Sequence, residues 1–496
     1  MFERNEKKRK WIFRRFLVVG SSSAALLGMS GSASISQGTQ DMQKKCTQTQ
    51  TASSKNDRKT SGAKKNGYFK FKMKKKALKN GLQVIVVEDG IAPRISVGVL
   101  YKVGSCDDPE NVFGISHMLE HMFFHGSKKY PDYARTISLL GGETNAMTSE
   151  DFTMYVVDCP ASAIEIVMDV EADRMEHFNL TNDKVFLREQ NAVFEERLMH
   201  IENRPLGTTL EFIRACLSPY HPYGKDIGGR RSHILSYSRE AIMQHYRTWY
   251  KPNNATVVVV GAVNAEEVFK LVEAKFGSIK PGKVPPRDRL KNQLTDGFHQ
   301  AIEFCSDEVE SVKVRLNYTA PHHRDNLRKC YALNLVITAL FGGVMFSFCR
   351  YFIDKLGMVA DFGCNFDWDL DPRPLSVSVS LMPEKKAADF LKKFNVKLKA
   401  VVSSGISMVE FGRAKKMELA KYKANDSHRG IRMWLAGCLA NLSSFDEIDQ
   451  EKVIATIESI SLDEANIVLR EVFGAREQSS VILYPKGAHG GKSAVS

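Results

Sequence analysis

Apolar runs with strand-like composition recur at matching places in the two halves of the chain. One run opens each half, at residues 83–102 and 311–320, and another closes each half, at residues 255–262 and 479–484. Helix-forming segments lie between these runs, and a stretch rich in Pro, Gly and charge at residues 278–297 separates the halves. The pattern predicts two domains of ordinary size.

One helical segment, which is predicted to begin near Gly114 and Ser116, has two distinct faces. Its apolar stripe at the spacing i, i+3, i+4, i+7 consists of Ile115, Met118, Leu119 and Met122. The stripe beside it consists of His117, Glu120, His121 and Phe124. This helix is therefore expected to bury one face and to present its histidines to a cleft.

The order His117-x-x-Glu120-His121 is the inverted zinc-peptidase signature H-x-x-E-H. Residues four apart on a helix are neighbours, so the two imidazoles can bind one metal ion, and Glu120 can reach a water held by that ion. Short motifs also arise by chance. The alternative is a helix whose two histidines are only polar surface groups or hydrogen-bonded core groups.

A catalytic zinc site needs a third protein ligand beside one open position. A second predicted helix, residues 183–201, carries Glu189, Glu195 and Glu196. Glu196 follows His121 after 74 intervening residues, and Glu189 lies two turns before Glu196 on nearly the same face. Because a solvated helix face is the usual place for such carboxylates, this cluster alone does not establish a site.

Three blocks of the sequence, residues 114–126, 141–155 and 189–196, resemble the pitrilysin/insulinase family of zinc metallopeptidases. That family includes mitochondrial processing peptidase and bacterial periplasmic relatives. The resemblance implies one Zn²⁺ per chain, with metal ligands at His117, His121 and Glu196. It also implies catalytic roles for Glu120, as the general base that activates water together with zinc, and for Glu189, as the carboxylate that supports the ligands.

The resemblance implies an α+β fold of two related domains, each an antiparallel-rich sheet with helices on one face. The N-terminal catalytic domain is then expected at residues 69–280 and the C-terminal peptidase-like domain at residues 298–490, joined by a linker at residues 281–297. The implied activity is that of a zinc-dependent endopeptidase acting on peptides or unfolded segments.

Residues 144–157 are rich in β-formers and match one of the family blocks. In relatives this stretch begins with an edge strand, to which an extended peptide adds through main-chain hydrogen bonds. The resemblance implies that Asn145 and Ala146 contact the substrate there. An ordinary core strand is the alternative.

The second half departs from the family in one respect. The family has an Arg, and seven residues later a Tyr, that contact substrate from the C-terminal domain. Here Ile353 and Ala360 stand at those positions. We therefore expect a homodimer or heterodimer in which a homologue supplies the Arg/Tyr pair. The alternatives are a shifted alignment in this region and other residues that serve the same purpose.

The N-terminus resembles an export signal. Seven basic residues precede a modest apolar run, Arg14-Arg15 resembles a twin-arginine signal, and small residues follow at positions 31–33. We predict a signal peptide at residues 1–33, a basic disordered linker at residues 34–68 and a periplasmic location. A presequence for the mitochondrial matrix is the alternative, although Glu3 and Glu6 disfavour it because such presequences are poor in acidic residues.

The formal charge of +13 is confined to the N-terminal part of the chain. Residues 1–80 hold 20 Lys and Arg against 4 Asp and Glu, and the rest holds 50 against 53. This distribution predicts no nucleic-acid binding and at most a peripheral contact with an anionic membrane surface. Two alternatives to a peptidase remain, namely a non-catalytic structural or assembly subunit and a peptide-binding protein of the same fold.

Overall fold

The computed structural model describes residues 72–90, 92–203, 207–217, 221–287, 300–343, 346–367, 370–424, 450–474 and 479–487. The predicted signal and basic linker, residues 1–68, lie outside the described residues, as do residues 288–297 of the predicted interdomain linker. Within the described ranges, no helix combines the length and the apolar character needed to cross a bilayer.

The strands are β1 (Lys72–Ala77), β2 (Gln83–Glu88), β3 (Arg94–Tyr101), β4 (Glu143–Thr148), β5 (Thr153–Pro160), β6 (Ala255–Gly261), β7 (Gln300–Ser306), β8 (Lys313–Tyr318), β9 (Val359–Asn365), β10 (Leu375–Leu381) and β11 (Ser479–Pro485). The helices are α1 (Ile115–Phe123), α2 (Tyr133–Leu139), α3 (Ile164–His177), α4 (Asp183–Arg197), α5 (Gly207–Leu217), α6 (Arg231–Ser236), α7 (Arg239–Trp249), α8 (Ala265–Phe276), α9 (His323–Phe341), α10 (Ala387–Ser404), α11 (Met408–Ala424), α12 (Gln450–Ser459) and α13 (Leu462–Phe473). A helical turn at Ser347–Cys349 continues into a π-helical segment at Arg350–Lys355.

The first sheet has the strand order β1-β2-β6-β3-β5-β4, in which only β2 and β6 run parallel. Strand β6 is buried along its whole length, as expected for a central run of valines covered on both faces. Strand β4 forms one edge of this sheet.

The second sheet has five strands in the order β7-β11-β8-β10-β9, which repeats the order of the first sheet without a counterpart of β1, and its one parallel pair is β7 and β11. Each sheet has its own apolar core, and both sheets belong to one compact unit of the chain. The predicted fold class, two related α+β domains with antiparallel-rich sheets, is therefore confirmed. The predicted domain boundaries stay predictions.

Two details of the predicted strands were wrong. Residues 83–102 form two strands, β2 and β3, because the chain turns around Gly90 and Pro93. The second half opens with β7 rather than with the run at residues 311–320, which became β8. Strand β7 lies at a sheet edge, where its residues 301–306 alternate between exposed and half-buried, and polar residues interrupt its apolar run, so its apolar signal was weaker than that of β8.

The buried guanidinium of Arg174, on α3, connects the core to the end of α1. It donates to Glu171 Oε2 at 2.6 Å and to the carbonyl oxygen of Phe123, the last residue of α1, at 3.0 Å. It also lies 3.6 Å from the ring centre of Tyr133, whose hydroxyl donates to Glu171. The position of α1 thus depends on a charge pair enclosed by aromatic rings.

Arg174→Met should lower the free energy of unfolding by about 3–5 kcal/mol, because it leaves the Glu171 carboxylate buried without its partner. The double variant Glu171→Gln/Arg174→Met should lose less, since no charge remains unpaired. Chemical denaturation measures both. Arg247→Met, which breaks an exposed ion pair with Glu240, is the matched control and should change little. Equal losses in the single and double variants would contradict the charge argument.

Candidate metal centre

Helix α1 is fixed at its start by a backbone position that needs glycine. Gly114 has φ of 92°, and a Cβ there would lie 2.5 Å from Tyr237 Oη and 2.6 Å from Gly228 O. The carboxylate of Asp108 accepts hydrogen bonds from Gly114 N at 2.7 Å, Ser116 N at 3.1 Å and Ser116 Oγ at 2.6 Å. It satisfies free N–H groups of the first turn, in the way that a helix cap does.

The two faces of α1 are those that the periodicity predicted. Its apolar stripe, Ile115, Met118, Leu119 and Met122, is at most 1% exposed. The side chains of His117 and His121 are 15% and 18% exposed, and Glu120 is buried. The helix therefore packs by one face and turns its polar face towards α4.

Helix α4 begins after Asn182, whose side chain accepts hydrogen bonds from Lys184 N and Val185 N. It buries Phe186 and Val193 against the core. Of its three glutamates, Glu189 and Glu196 face α1, whereas Glu195 is exposed to solvent. The seven-residue spacing explains the shared face, since seven residues make nearly two turns.

Three side chains from these helices meet at one place. Glu196 Oε2 lies 3.3 Å from His121 Nε2 and 3.8 Å from His117 Nε2, and one ligand atom from each residue lies within 4.8 Å of the others. Two imidazole nitrogens and one carboxylate oxygen are a ligand set of catalytic zinc sites.

An unsatisfied atom supports the fit of a cation to this set. Glu196 Oε2 is buried and makes no hydrogen bond within the described part of the chain, although His121 is close. A buried acceptor without a hydrogen bond costs free energy. A divalent cation shared with the two imidazoles would satisfy this oxygen.

The charges around His121 favour a positive group at this place. Burial lowers the pKa of His121, but the carboxylates of Glu189 and Glu196 outweigh burial and raise this pKa to about 10. Burial likewise raises the pKa of Glu196, but His117 and His121 lower it to about 2. The pKa of Glu189 is also low, because its hydrogen bonds with His121 and His125 outweigh burial. When no metal ion is bound, a proton on His121 therefore supplies the positive charge that the carboxylates of Glu189 and Glu196 favour.

Glu189 lies beside the three clustered residues rather than among them. Its Oε2 is 3.8 Å from His121 Nδ1, the ring nitrogen on the far side from Glu196, and its Oε1 is 3.0 Å from His125 Nε2. A carboxylate in this position can orient the imidazole and set its tautomer.

Glu120 stands one residue before His121 and is held by a hydroxyl. Thr148 Oγ1 donates to Glu120 Oε2 at 2.7 Å, and Thr148 is the last residue of edge strand β4. The hydrogen bond joins the predicted general base to the predicted substrate strand.

Asn145 and Ala146 lie on β4, and both are half-buried. Strand β4 pairs with β5 on one side, and its other side pairs with no strand among the described residues. Asn145 Oδ1 accepts a hydrogen bond from Ala146 N at 2.9 Å. The edge position agrees with the sequence analysis, and substrate contact by these two residues stays a prediction.

Sequence reasoning missed two residues around this cluster. His125 continues the spacing of His117 and His121 by four more residues, and that spacing was a signal that could have identified it. Thr148 offered no such signal, because its contact with Glu120 depends on where β4 passes α1.

Ile353 and Ala360 both lie in the second domain. Ile353 packs against the second core, and Ala360 is an exposed residue of edge strand β9. The two residues that the sequence analysis aligned with the family's Arg and Tyr are therefore apolar, and the alignment itself stays a prediction.

Two family models match successive parts of the chain. The model of insulinase (peptidase family M16) matches residues 83–217, and that of the peptidase M16 inactive domain matches residues 236–418. The zinc protease PqqE of Helicobacter pylori is 34% identical over 257 residues, which are 50% of this chain and 57% of that protein. The chain thus spans little more than half the length of this relative.

Two solved structures share the fold. A protease from Helicobacter pylori superposes with a TM-score of 0.75 at 26% identity, over 84% of this chain and 100% of that chain. The periplasmic protease PqqL from Escherichia coli superposes with a TM-score of 0.69 at 16% identity, over 83% of this chain and 47% of that chain. The second likeness concerns the fold alone.

Glu196→Gln should weaken zinc binding by more than 100-fold because it removes a ligand, and Glu189→Gln by about 10–100-fold because it removes the group that orients His121. Competition with a chromogenic chelator measures both affinities. Glu195→Gln changes the exposed neighbour on the same helix and should bind zinc like the unaltered chain. A Glu196→Gln protein with unchanged affinity would exclude Glu196 as a ligand.

Zinc affinity should rise with pH by about tenfold per unit between pH 7 and 9, because a ligating histidine must be neutral and zinc displaces the proton of His121. The raised pKa of about 10 sets this window. A histidine with the ordinary pKa of about 6.5 would give an affinity that levels off above neutral pH. Titration in buffers of different ionisation enthalpy counts the released proton, and a release near zero at pH 7.5 would contradict the prediction.

Proposed function

The chain belongs to the insulinase family, peptidase family M16, and from that premise we propose that it is a zinc-dependent endopeptidase of peptides or unfolded segments. The observation that carries the proposal is the meeting of His117, His121 and Glu196, with Glu120 at the edge of the same cluster. Relatives named as zinc proteases support this kind of activity.

In the proposed site, His117, His121 and Glu196 would hold one Zn²⁺. When bound, this ion supplies Lewis-acid polarisation and lowers the pKa of water to about 7. Glu120 takes a proton from the attacking water and later gives it to the leaving amine. Thr148 keeps one oxygen of Glu120 in place, and Glu189 keeps the ring of His121 in the orientation for binding.

The proposed substrate is a chain that can become extended. A peptide that adds to the free side of β4 makes main-chain hydrogen bonds, which need a β conformation and little particular sequence. Asn145 and Ala146 are the proposed contacts on this strand. Folded domains rarely offer such a segment, so peptides and unfolded segments are the expected substrates.

We also propose that the active form contains a second chain or a homologue. Ile353 and Ala360 cannot replace the charge and hydroxyl of the family's Arg and Tyr, so another subunit would supply that pair. PqqL, of which this chain matches about half, shows that related folds occur in longer chains. The predicted signal supports a periplasmic location, with the mitochondrial matrix as the alternative.

The second candidate function is capture of extended peptides without efficient cleavage. The apolar residues at positions 353 and 360 favour it, because an isolated chain would then bind a peptide only through β4. A purely structural subunit is less consistent with the residues present, since His117, Glu120, His121 and Glu196 are all retained.

Glu120→Gln should lower the rate of peptide cleavage by about 100-fold to 10,000-fold and leave zinc affinity nearly unchanged, because it removes the base but no ligand. A quenched fluorescent peptide measures turnover, with and without a chelator and with and without a candidate homologue. Chelator-resistant cleavage would exclude the zinc mechanism. Cleavage that requires the homologue would favour shared substrate binding, and peptide binding without cleavage in every mixture would favour the second candidate.

A further inference from the structure

We propose that the C-terminal domain of this chain positions the general base of the N-terminal domain, through a buried clasp on the hairpin of β4 and β5. The clasp, called here the interdomain clasp, consists of Glu150, Asp151, Tyr223, Leu370, Asp371 and Arg373. This inference rests on the proposed peptidase function and gives the second domain a role that needs no contact with substrate.

The β4–β5 hairpin contains Thr148, the residue that holds the general base Glu120. Thr148, which donates to Glu120, ends β4, and the turn of residues 149–152 follows directly. Inside the turn, Ser149 Oγ accepts hydrogen bonds from Asp151 N at 3.1 Å and Phe152 N at 3.0 Å. This turn is short and internally bonded, so a displacement of its tip is transmitted to Thr148.

Groups from both domains hold the tip of this turn through connected hydrogen bonds. Asp151 Oδ2 accepts hydrogen bonds from Tyr223 Oη at 2.7 Å and from Leu370 N at 3.1 Å. Tyr223 Oη in turn accepts one from Asp371 N at 3.1 Å. These four residues are each at most 5% exposed. Leu370 and Asp371 belong to the connection between β9 and β10, so the contact crosses from one domain to the other.

An ion pair next to these hydrogen bonds also holds the turn in place. Arg373 donates to Glu150 Oε1 at 2.6 Å, with side-chain exposures of 16% and 14%. The guanidinium also lies 4.2 Å from the ring centre of Tyr223. His221 Nε2 also lies 3.2 Å from Asp371 Oδ2, and both side chains are nearly fully buried.

The interdomain clasp should make the β4–β5 turn stiff. A buried, mutually bonded polar network has few alternative arrangements, because each broken bond leaves a buried group without a partner. The turn is therefore held in one place relative to Glu120. A displacement of about 1 Å at a catalytic group can reduce a rate on the order of 100-fold. The clasp is thus suited to control kcat from the second domain, through residues that do not touch the metal ligands.

The test uses the full-length chain with zinc and four variants. Arg373→Met removes the ion pair, Thr148→Val removes only the hydrogen bond to Glu120, and the double variant combines them. Arg328→Met, which breaks the ion pair with Glu464 elsewhere in the second domain, is the control. The readouts are kcat, KM, zinc affinity, and hydrogen exchange of amides in the β4–β5 hairpin.

We expect Arg373→Met to lower kcat on the order of tenfold, to change KM and zinc affinity much less, and to speed amide exchange in the hairpin. The double variant should lose no more kcat than the larger single loss, because both changes act on the same hydrogen bond. Arg328→Met should match the unaltered chain in every readout.

Several results would overturn the inference. They are unchanged exchange in Arg373→Met, multiplied losses in the double variant, and a loss of zinc affinity that accounts for the loss of rate. If Arg373→Met does not fold, Glu150→Gln removes the same pair from the other side and is measured in its place. If the unaltered chain shows no chelator-sensitive cleavage, the proposed function fails, and hairpin exchange still decides whether the clasp orders Thr148.

Discussion

The candidate site depends on the fixed position of one helix, α1. This position brings its two imidazoles, His117 and His121, close to the carboxylate of Glu196 on α4. Divalent cations tolerate little error in ligand position, so the helix cannot be free to slide or rotate. It is fixed in three ways. Asp108 and Gly114 fix its first turn, Arg174 binds the carbonyl at its last residue, and an apolar stripe locks its rotation.

The repulsion between the two carboxylates beside His121 costs free energy, so the site favours a positively charged partner. Glu189 and Glu196 lie close to the same imidazole, and carboxylates that share a partly buried place need a positive partner. A proton on His121 meets this need, and a divalent cation held by His117, His121 and Glu196 would also meet it.

The second domain repeats the strand order of the first but not its chemistry. Helix α9 follows β8 as α1 follows β3, yet its C-terminal half buries apolar side chains such as Leu333, Val336 and Leu340. Helix α9 therefore contributes to an apolar core in the second domain, whereas the corresponding helix α1 presents polar side chains to a cleft in the first. Its edge strand β9 lies where β4 lies in the first sheet, and the loop after β9 contacts the β4–β5 turn.

The sequence by itself determined the local features of this protein. The spacing of His117 and His121, the faces of α1 and α4, and most strand positions follow from periods of 3.6 and 2, which neighbouring residues encode. Resemblance added Glu196 and the α+β fold. Tertiary structure alone decided that Thr148 meets Glu120, that His125 meets Glu189, and that Asp151 meets Leu370. Those partners lie 28, 64 and 219 residues apart, and contacts at such separations depend on which loops the fold brings together, which no local period records.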